Sequence, residues 1–178
     1  MTPRITRRIL AIVLTLAATA IVADAVQPEA ATAAGTTKLQ AEINAYLVRN
    51  PGGTQINATD ISYSGGAFIV TLGRTTSLSL TADCPAGWFC FYDATDYNGA
   101  RGRLSSCGWQ DLAQWNWNDR VVSAYFNTQK SGYVDFLDHA AGYTSHGHDT
   151  KLFTVSASSP GLRLVPYPYR ADHVNYHC

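Results

Sequence analysis

The stretch FYDATDYNGARGRL, residues 91–104, carries the densest patterning in the chain. Tyr92 is followed by Tyr97 after four intervening residues, and Gly99 stands two positions further on. Asp93, Asp96, Arg101 and Arg103 lie among them. Two aromatics and a glycine at this spacing suit a hairpin folded back over its own sheet. Gly99 then takes a conformation closed to residues with a Cβ. The Tyr92 ring covers that bare backbone, and Tyr97 holds the turn from the other side. The four charges are expected to face water. The stretch reads as architecture, and any activity belongs in the loops beyond it.

Working outward, short strand candidates follow one another at residues 88–92, 103–106, 121–127, 133–138, 151–155 and 162–165. Gly, Asn, Asp and Pro separate them, which is the pattern of a β-sandwich. Residues 111–115 suit one loose helical turn. A weak repeat lays GWFCFYD (87–93) on GYVDFLD (132–138), and Asp119-Arg120-Val121 on Asp172-His173-Val174. Two copies of a four-stranded unit would build a two-sheet Greek-key domain.

Upstream, the chain changes character. Arg4, Arg7 and Arg8 precede an apolar run over residues 9–23 and a small-x-small signal at Ala23-Asp24-Ala25. Residues 1–25 therefore read as a secretory signal peptide, the run being short of the roughly 20 residues a membrane span needs. A second cut near residues 31–33 is open, and the Arg pair hints at twin-arginine export. Residues 26–82 form an N-terminal extension, its first ten residues Ala-, Pro- and Thr-rich and expected to be unstructured. Residues 37–49 suit a helix with Leu39, Ile43, Tyr46 and Leu47 on one face, opened by a Thr37/Gln40 capping box and stopped by Pro51-Gly52-Gly53. Strands at 60–63 and 67–72 with Ser64-Gly65-Gly66 between them suit a hairpin. Residues 75–82 read as a linker or poor edge strand, and residues 83–178 as the main domain.

The full chain is formally neutral, and loss of Arg4, Arg7, Arg8 and Asp24 takes the mature form to about −2. No basic stripe tracks phosphates, so no nucleic-acid partner is expected. The mature chain of about 150 residues is long enough for one real core. It carries no second apolar span, and a secreted monomer is expected. Cys84, Cys90, Cys107 and Cys178 make an even set, which in an exported chain suggests two disulfides. Three pairings are open; the favoured one joins Cys84 to Cys90 and Cys107 to Cys178. The spacing does not suit a zinc knuckle.

The signature Tyr92-x4-Tyr97-x-Gly99, followed by Asn118-Asp119-Arg120-Val121-Val122-Ser123, resembles the βγ-crystallin motif. The wider frame CPAGWFCFYDATDYNGARGRLSSCGWQDLAQWNWNDRVVSAYFN, residues 84–127, resembles the secreted actinobacterial peptidase inhibitors typed by the Streptomyces metalloproteinase inhibitor. The resemblance covers residues 84–127 well and residues 132–178 poorly. It implies a mainly β, βγ-crystallin-like two-sheet Greek-key sandwich, here preceded by a short helix and a β-hairpin. It also implies calcium as an optional ligand, although none is required. The candidate oxygen donors are Asp93, Asn118, Asp119 and Asn175. The motif's fifth position, which would give a side-chain oxygen, is Val122 in the first copy, and hard cations need six to eight oxygens. Asn118 and Asp119 equally suit a loop capped through its own backbone.

Other clusters carry chemistry of their own. His146-Gly147-His148-Asp149, with His139 nearby, would put imidazoles on one side of an extended segment and suit a transition metal; an exposed polar loop explains the same residues. No catalytic motif of the metallopeptidase, α/β-hydrolase or P-loop kind occurs, so no enzyme is expected. Trp109, Trp115 and Trp117 either fill the core or form an exposed aromatic patch, with Tyr167 and Tyr169 further on. The resemblance implies inhibition of an extracellular peptidase, a metallopeptidase first, through a rigid disulfide-supported loop. Ser105, Ser106, Cys107, Gly108 and Trp109 form one candidate loop, and residues 140–149 form the other. The alternatives are a non-inhibitory module binding cell-wall glycan or protein, and a calcium-stabilised structural domain.

Overall fold

The computed structural model describes residues 28–74, 81–142 and 146–178. The signal-peptide region (1–25) and most of the 75–82 linker lie outside them. Among the described residues one α-helix, α1 (Pro28–Arg49), precedes eleven strands. These are β1 (Thr54–Gln55), β2 (Asp60–Tyr63), β3 (Phe68–Thr71), β4 (Trp88–Tyr92), β5 (Arg101–Leu104), β6 (Gly108–Asp111), β7 (Ser123–Asn127), β8 (Tyr133–Asp138), β9 (Thr150–Ser156), β10 (Gly161–Leu162) and β11 (His173–His177). They form two antiparallel sheets in the orders β1-β2-β3-β5-β4-β7-β10 and β6-β11-β8-β9. The chain is thus a mainly β two-sheet sandwich. Among the described residues no helix is long and apolar enough to cross a membrane.

The sandwich is two interlocked four-strand units. Each unit keeps its first, second and fourth strands in one sheet and gives its third to the other, so β6 joins the second sheet and β10 the first. Matching backbone bonds fix the correspondence between units. Val122 N–H donates to Tyr92 O at 2.8 Å, as Asp172 N–H does to Leu137 O at 2.9 Å. Asp119 N–H donates to Ala171 O and Tyr169 N–H to Val121 O, each at 3.0 Å. Asp119 and Tyr169 also share a left-handed φ, 56° and 61°. Ser123 therefore corresponds to His173, Val122 to Asp172 and Asp119 to Tyr169. The expected alignment of Asp119-Arg120-Val121 with Asp172-His173-Val174 is corrected by this ladder, because strand register follows the pairing with β4 and β8.

Aromatic rings fill the space between the sheets. Phe91 meets Phe136 edge-on at 6.0 Å, and Phe89 meets Tyr176 at 5.6 Å. Phe68, Phe89, Phe91 and Phe136 are fully buried, each contributing about 1.5–3 kcal/mol relative to an exposed ring. Trp115 and Trp117 belong to the same core. α1 docks here through Ile43 and Tyr46, with Leu39 and Leu47 packed beside them. The Tyr46 hydroxyl accepts from Trp117 Nε1 at 3.0 Å and donates to Trp115 O at 3.3 Å. The helix begins at Pro28, so Thr37 lies inside it and makes no capping box. The Ala-rich stretch expected to be unstructured is helical from Pro28, consistent with Ala's high propensity. β2 and β3 form the expected hairpin, and β3 then pairs with β5, continuing the first sheet.

In residues 91–104 the hairpin forms, but its details differ from expectation. Gly99 has φ 73°, and a Cβ there would strike the Asp93 carboxylate rather than the Tyr92 ring. Asp93 Oδ1 accepts from Ala100 N–H at 2.7 Å, so the bare glycine admits this bond. The ring that lies over a glycine is Phe91, pressed against Gly102. Tyr92 and Tyr97 meet edge to face at 5.5 Å on the other side of the sheet, in a small cluster with Cys84 and Cys90. The charges do not simply face water. Arg101 is buried, donating to Asp83 O at 2.5 Å and to Thr71 Oγ1 at 2.9 Å. Arg103 pairs with Asp60 at 3.1 Å, Asp93 with Arg120 at 2.8 Å and Asp96 with Arg163 at 2.5 Å. Every one of these partners comes from a distant segment or the hairpin's far side, so short-range sequence pattern carries no trace of them.

Candidate functional site

The outer face of the second sheet gathers the chemistry. On β11, Val174 and Tyr176 are buried in the core. Alternation along a strand therefore turns His173, Asn175 and His177 outward. His173 is nonetheless only 6 % exposed, because His139, His146 and Asp149 pack against it. That connection contributes His139 just after β8, and His146 and Asp149 just before β9. Asp149 has a fully enclosed carboxylate. His139 Nδ1 lies 3.0 Å from its Oδ1. His173 Nδ1 at 2.6 Å and His146 Nδ1 at 3.3 Å lie on its Oδ2. Burial pushes the Asp149 carboxyl up, but the hydrogen bonds from His173 and His139 outweigh it and hold the group below the usual Asp range.

Further groups frame this cluster. Asp111 Oδ1 stands 3.9 Å from His173 Nε2. The Trp109 ring lies flat on His146, centroids 4.4 Å apart and planes 11° from parallel. A groove of about 610 Å³ opens beside them, lined by Asp111, Ala113, Asn118, His139, His146, Asp172 and His173 among others. Asp172 Oδ2 accepts from His139 N–H at 3.0 Å. Burial, with Asp119 and Asp138 nearby, raises the Asp172 carboxyl above the ordinary Asp value.

The expected histidine site is thus redrawn. Residues 146–148 form a 3-10 turn rather than an extended run. His148 is not among the side chains on Asp149; His173, from β11, takes that place. Sequence reading missed His173 as a cluster member because 24 residues separate it from Asp149. The alternation of Val174 and Tyr176 was the one available sign that β11 exists.

The calcium candidates are placed apart in role. Asp93 is engaged by Ala100 N–H and Arg120. Asn118 and Asp119 sit in the turn before β7, with Asp119 in the left-handed region that a self-capped loop favours. Asn175 lies mid-strand in β11, opposite Asp135 and Trp109. The residue that corresponds to Val122 is Asp172, not Asn175.

The 105–109 loop and the described ends of the 140–149 loop lie on this face. Residues 105–107 carry the chain from β5 in one sheet to β6 in the other. Ser106 and Cys107 are exposed, Ser105 and Gly108 half-buried, and Trp109 is 40 % exposed. The Cys107–Cys178 disulfide anchors the loop, and Gln110 Nε2 donates back to Ser106 O at 2.7 Å. The other disulfide joins Cys84 and Cys90. The Trp109–His146 stack brings the 105–109 loop against the β8–β9 connection, so the two form one continuous surface. Residues 143–145 lie outside the described residues.

Comparison with known proteins bears on the same region. No curated protein and no solved structure matches the chain. The model of peptidase inhibitor family I36 matches residues 79–146, less than half of the chain. The match takes in β4 to β8, the whole 105–109 loop and both His139 and His146, and ends before Asp149 and His173. Over these residues the chain is similar to a family of peptidase inhibitors, not of catalysts.

Proposed function

We propose that the protein is a secreted monomeric inhibitor of extracellular peptidases, with metallopeptidases as its target class. The observation that carries this reading is the family match over residues 79–146, which spans the exposed, doubly anchored loop at 105–109. The target class rests on the resemblance of residues 84–127 to the Streptomyces metalloproteinase inhibitor type. The loop is presented rather than flexible. A disulfide at Cys107, a side-chain clamp from Gln110 and strand pairing of β6 with β11 hold it in place. A surface fixed in this way loses little conformational freedom on docking, so more of its contact energy appears as affinity. Trp109 supplies the large, partly exposed aromatic that anchors such interfaces. No cofactor enters this mechanism.

The test is inhibition of a panel of thermolysin-like, serine and cysteine peptidases by the mature protein. Tight inhibition of the metallopeptidases is expected, weakened at least about tenfold by Trp109→Ala with the fold intact. No inhibition of any class at micromolar protein would sink the inhibitor reading. Inhibition confined to serine or cysteine peptidases would sink the metallopeptidase target alone.

A further inference from the structure

We infer that His139, His173 and Asp149 bind a divalent transition-metal ion of the zinc class, with a water completing the shell. The ligand atoms of His139, Asp149 and His173 all lie within 4.8 Å of one another. Around Asp149 the three imidazole nitrogens stand at 2.6, 3.0 and 3.3 Å. A tetrahedral ion with bonds of about 2.0–2.1 Å holds its donors roughly 3.3 Å apart. Drawing the donors of His139, Asp149 and His173 in from within 4.8 Å of one another to that spacing would admit one. Two imidazoles and a carboxylate suit zinc and its neighbours, whereas calcium and magnesium require a shell of oxygens.

The surroundings have the form of a supporting shell. Asp111 stands 3.9 Å from the far nitrogen of His173, placing a negative charge beside that imidazole. Trp109 fixes the plane of His146. The Asp149 carboxylate is fully enclosed.

The internal symmetry of the sandwich supplies an independent reason. Ser123 occupies in the first unit the place of His173 in the second. Its hydroxyl accepts from Tyr97 N–H at 3.2 Å and donates to Ala94 O at 2.7 Å, pinning the β4–β5 hairpin onto the sheet. In the second unit the connection between β8 and β9 is longer, and an imidazole stands where the hydroxyl was. The ion would do there what one hydroxyl does in the first unit, tying His139 at one end of the connection to Asp149 at the other.

Mature protein stripped with a chelator and titrated with Zn²⁺ against a chromophoric competitor tests the inference. One ion per chain is expected, and Co²⁺ in its place should give tetrahedral visible absorption. The melting temperature should rise by about 5–10 °C at a hundredfold excess over Kd. His173→Ser, which installs the first unit's residue, and His139→Gln should each cost at least about a hundredfold in affinity. His148→Ala should bind as the parent does. Absence of zinc binding at micromolar ion overturns the inference. So does binding retained in both His139→Gln and His173→Ser, binding abolished by His148→Ala, or a stabilisation that millimolar calcium reproduces. All readouts are made without a peptidase, so the outcome is separate from that of the inhibition panel.

Discussion

Ser123→Ala isolates the contact that holds the first hairpin to its sheet. Ser123 is fully buried at the start of β7, and its single hydroxyl serves two backbone groups of the 94–97 turn. Removing it leaves the Tyr97 N–H without that acceptor in a buried position, at about 1–3 kcal/mol. Ala94 O is less enclosed and can be met by water, so its share is nearer the lower end. The sum is about 2–4 kcal/mol. For a domain of about 150 residues this corresponds to a fall in Tm of about 4–16 °C. Thermal unfolding followed by circular dichroism, in parent and variant at one pH and ionic strength, reads it directly. The hairpin should also loosen first, so amides of residues 94–100 should lose hydrogen-exchange protection ahead of the β4–β7 ladder. A Tm within 1–2 °C of the parent, with exchange in the turn unchanged, would refute the reasoning that this hydroxyl pins the hairpin.

Tyr46→Phe removes the hydroxyl shared by Trp117 Nε1 and Trp115 O, and should cost about 1–3 kcal/mol by denaturant unfolding, with a change in tryptophan fluorescence. Replacing Cys107 and Cys178 together by Ser opens a loop of separation 71, which in the chain-entropy model removes about 4 kcal/mol; a loss below about 1 kcal/mol would contradict that account. Acid titration tests Asp60. Burial opposes its charge, but bonds from Thr71 and Asn57 and the Arg103 guanidinium hold its carboxyl below the ordinary value. Its contribution is therefore complete above the unfolded-chain pKa of about 4 and is lost as pH falls through the lower folded value. Asp60→Asn should flatten part of the fall in Tm below pH 4, and an unchanged acid limb would count against the pairing.

Local spacing is what made the hairpin at residues 91–104 legible, since Tyr92, Tyr97 and Gly99 act within one turn of chain. The helical face of Leu39, Ile43, Tyr46 and Leu47 was legible for the same reason. The two-sheet architecture followed from regular short strands and the GWFCFYD/GYVDFLD repeat. β6 and β11 were missed: β6 has Trp109 as its one large apolar residue, and β11 shows only Val174 and Tyr176 between polar neighbours. Arg101 was misread because the groups that bury it, Thr71 and Asp83, lie 30 and 18 residues away. The site fared similarly. His139, His146 and Asp149 sit close enough in sequence to be noticed together, but the sheet pairing of β11 with β8 delivers His173. Trp109 and Trp115 look alike in sequence; long-range packing separates them, since Trp115 stacks on Phe68 and meets Tyr46 of α1 while Trp109 stays on the outer face.

The unequal size of the two sheets bears on how the molecule avoids its own kind. Without β1 to β3, the four-residue β5 would end the first sheet with a row of open N–H and C=O groups, a template for another chain. The N-terminal hairpin covers that row and passes the boundary to β1, which is two residues long. At the opposite end the boundary is β10, also two residues. The first sheet thus finishes on both sides in strands too short to recruit a neighbour. Loss of the hairpin would uncover β5, and self-association through that strand is the outcome expected of a chain begun at Cys84.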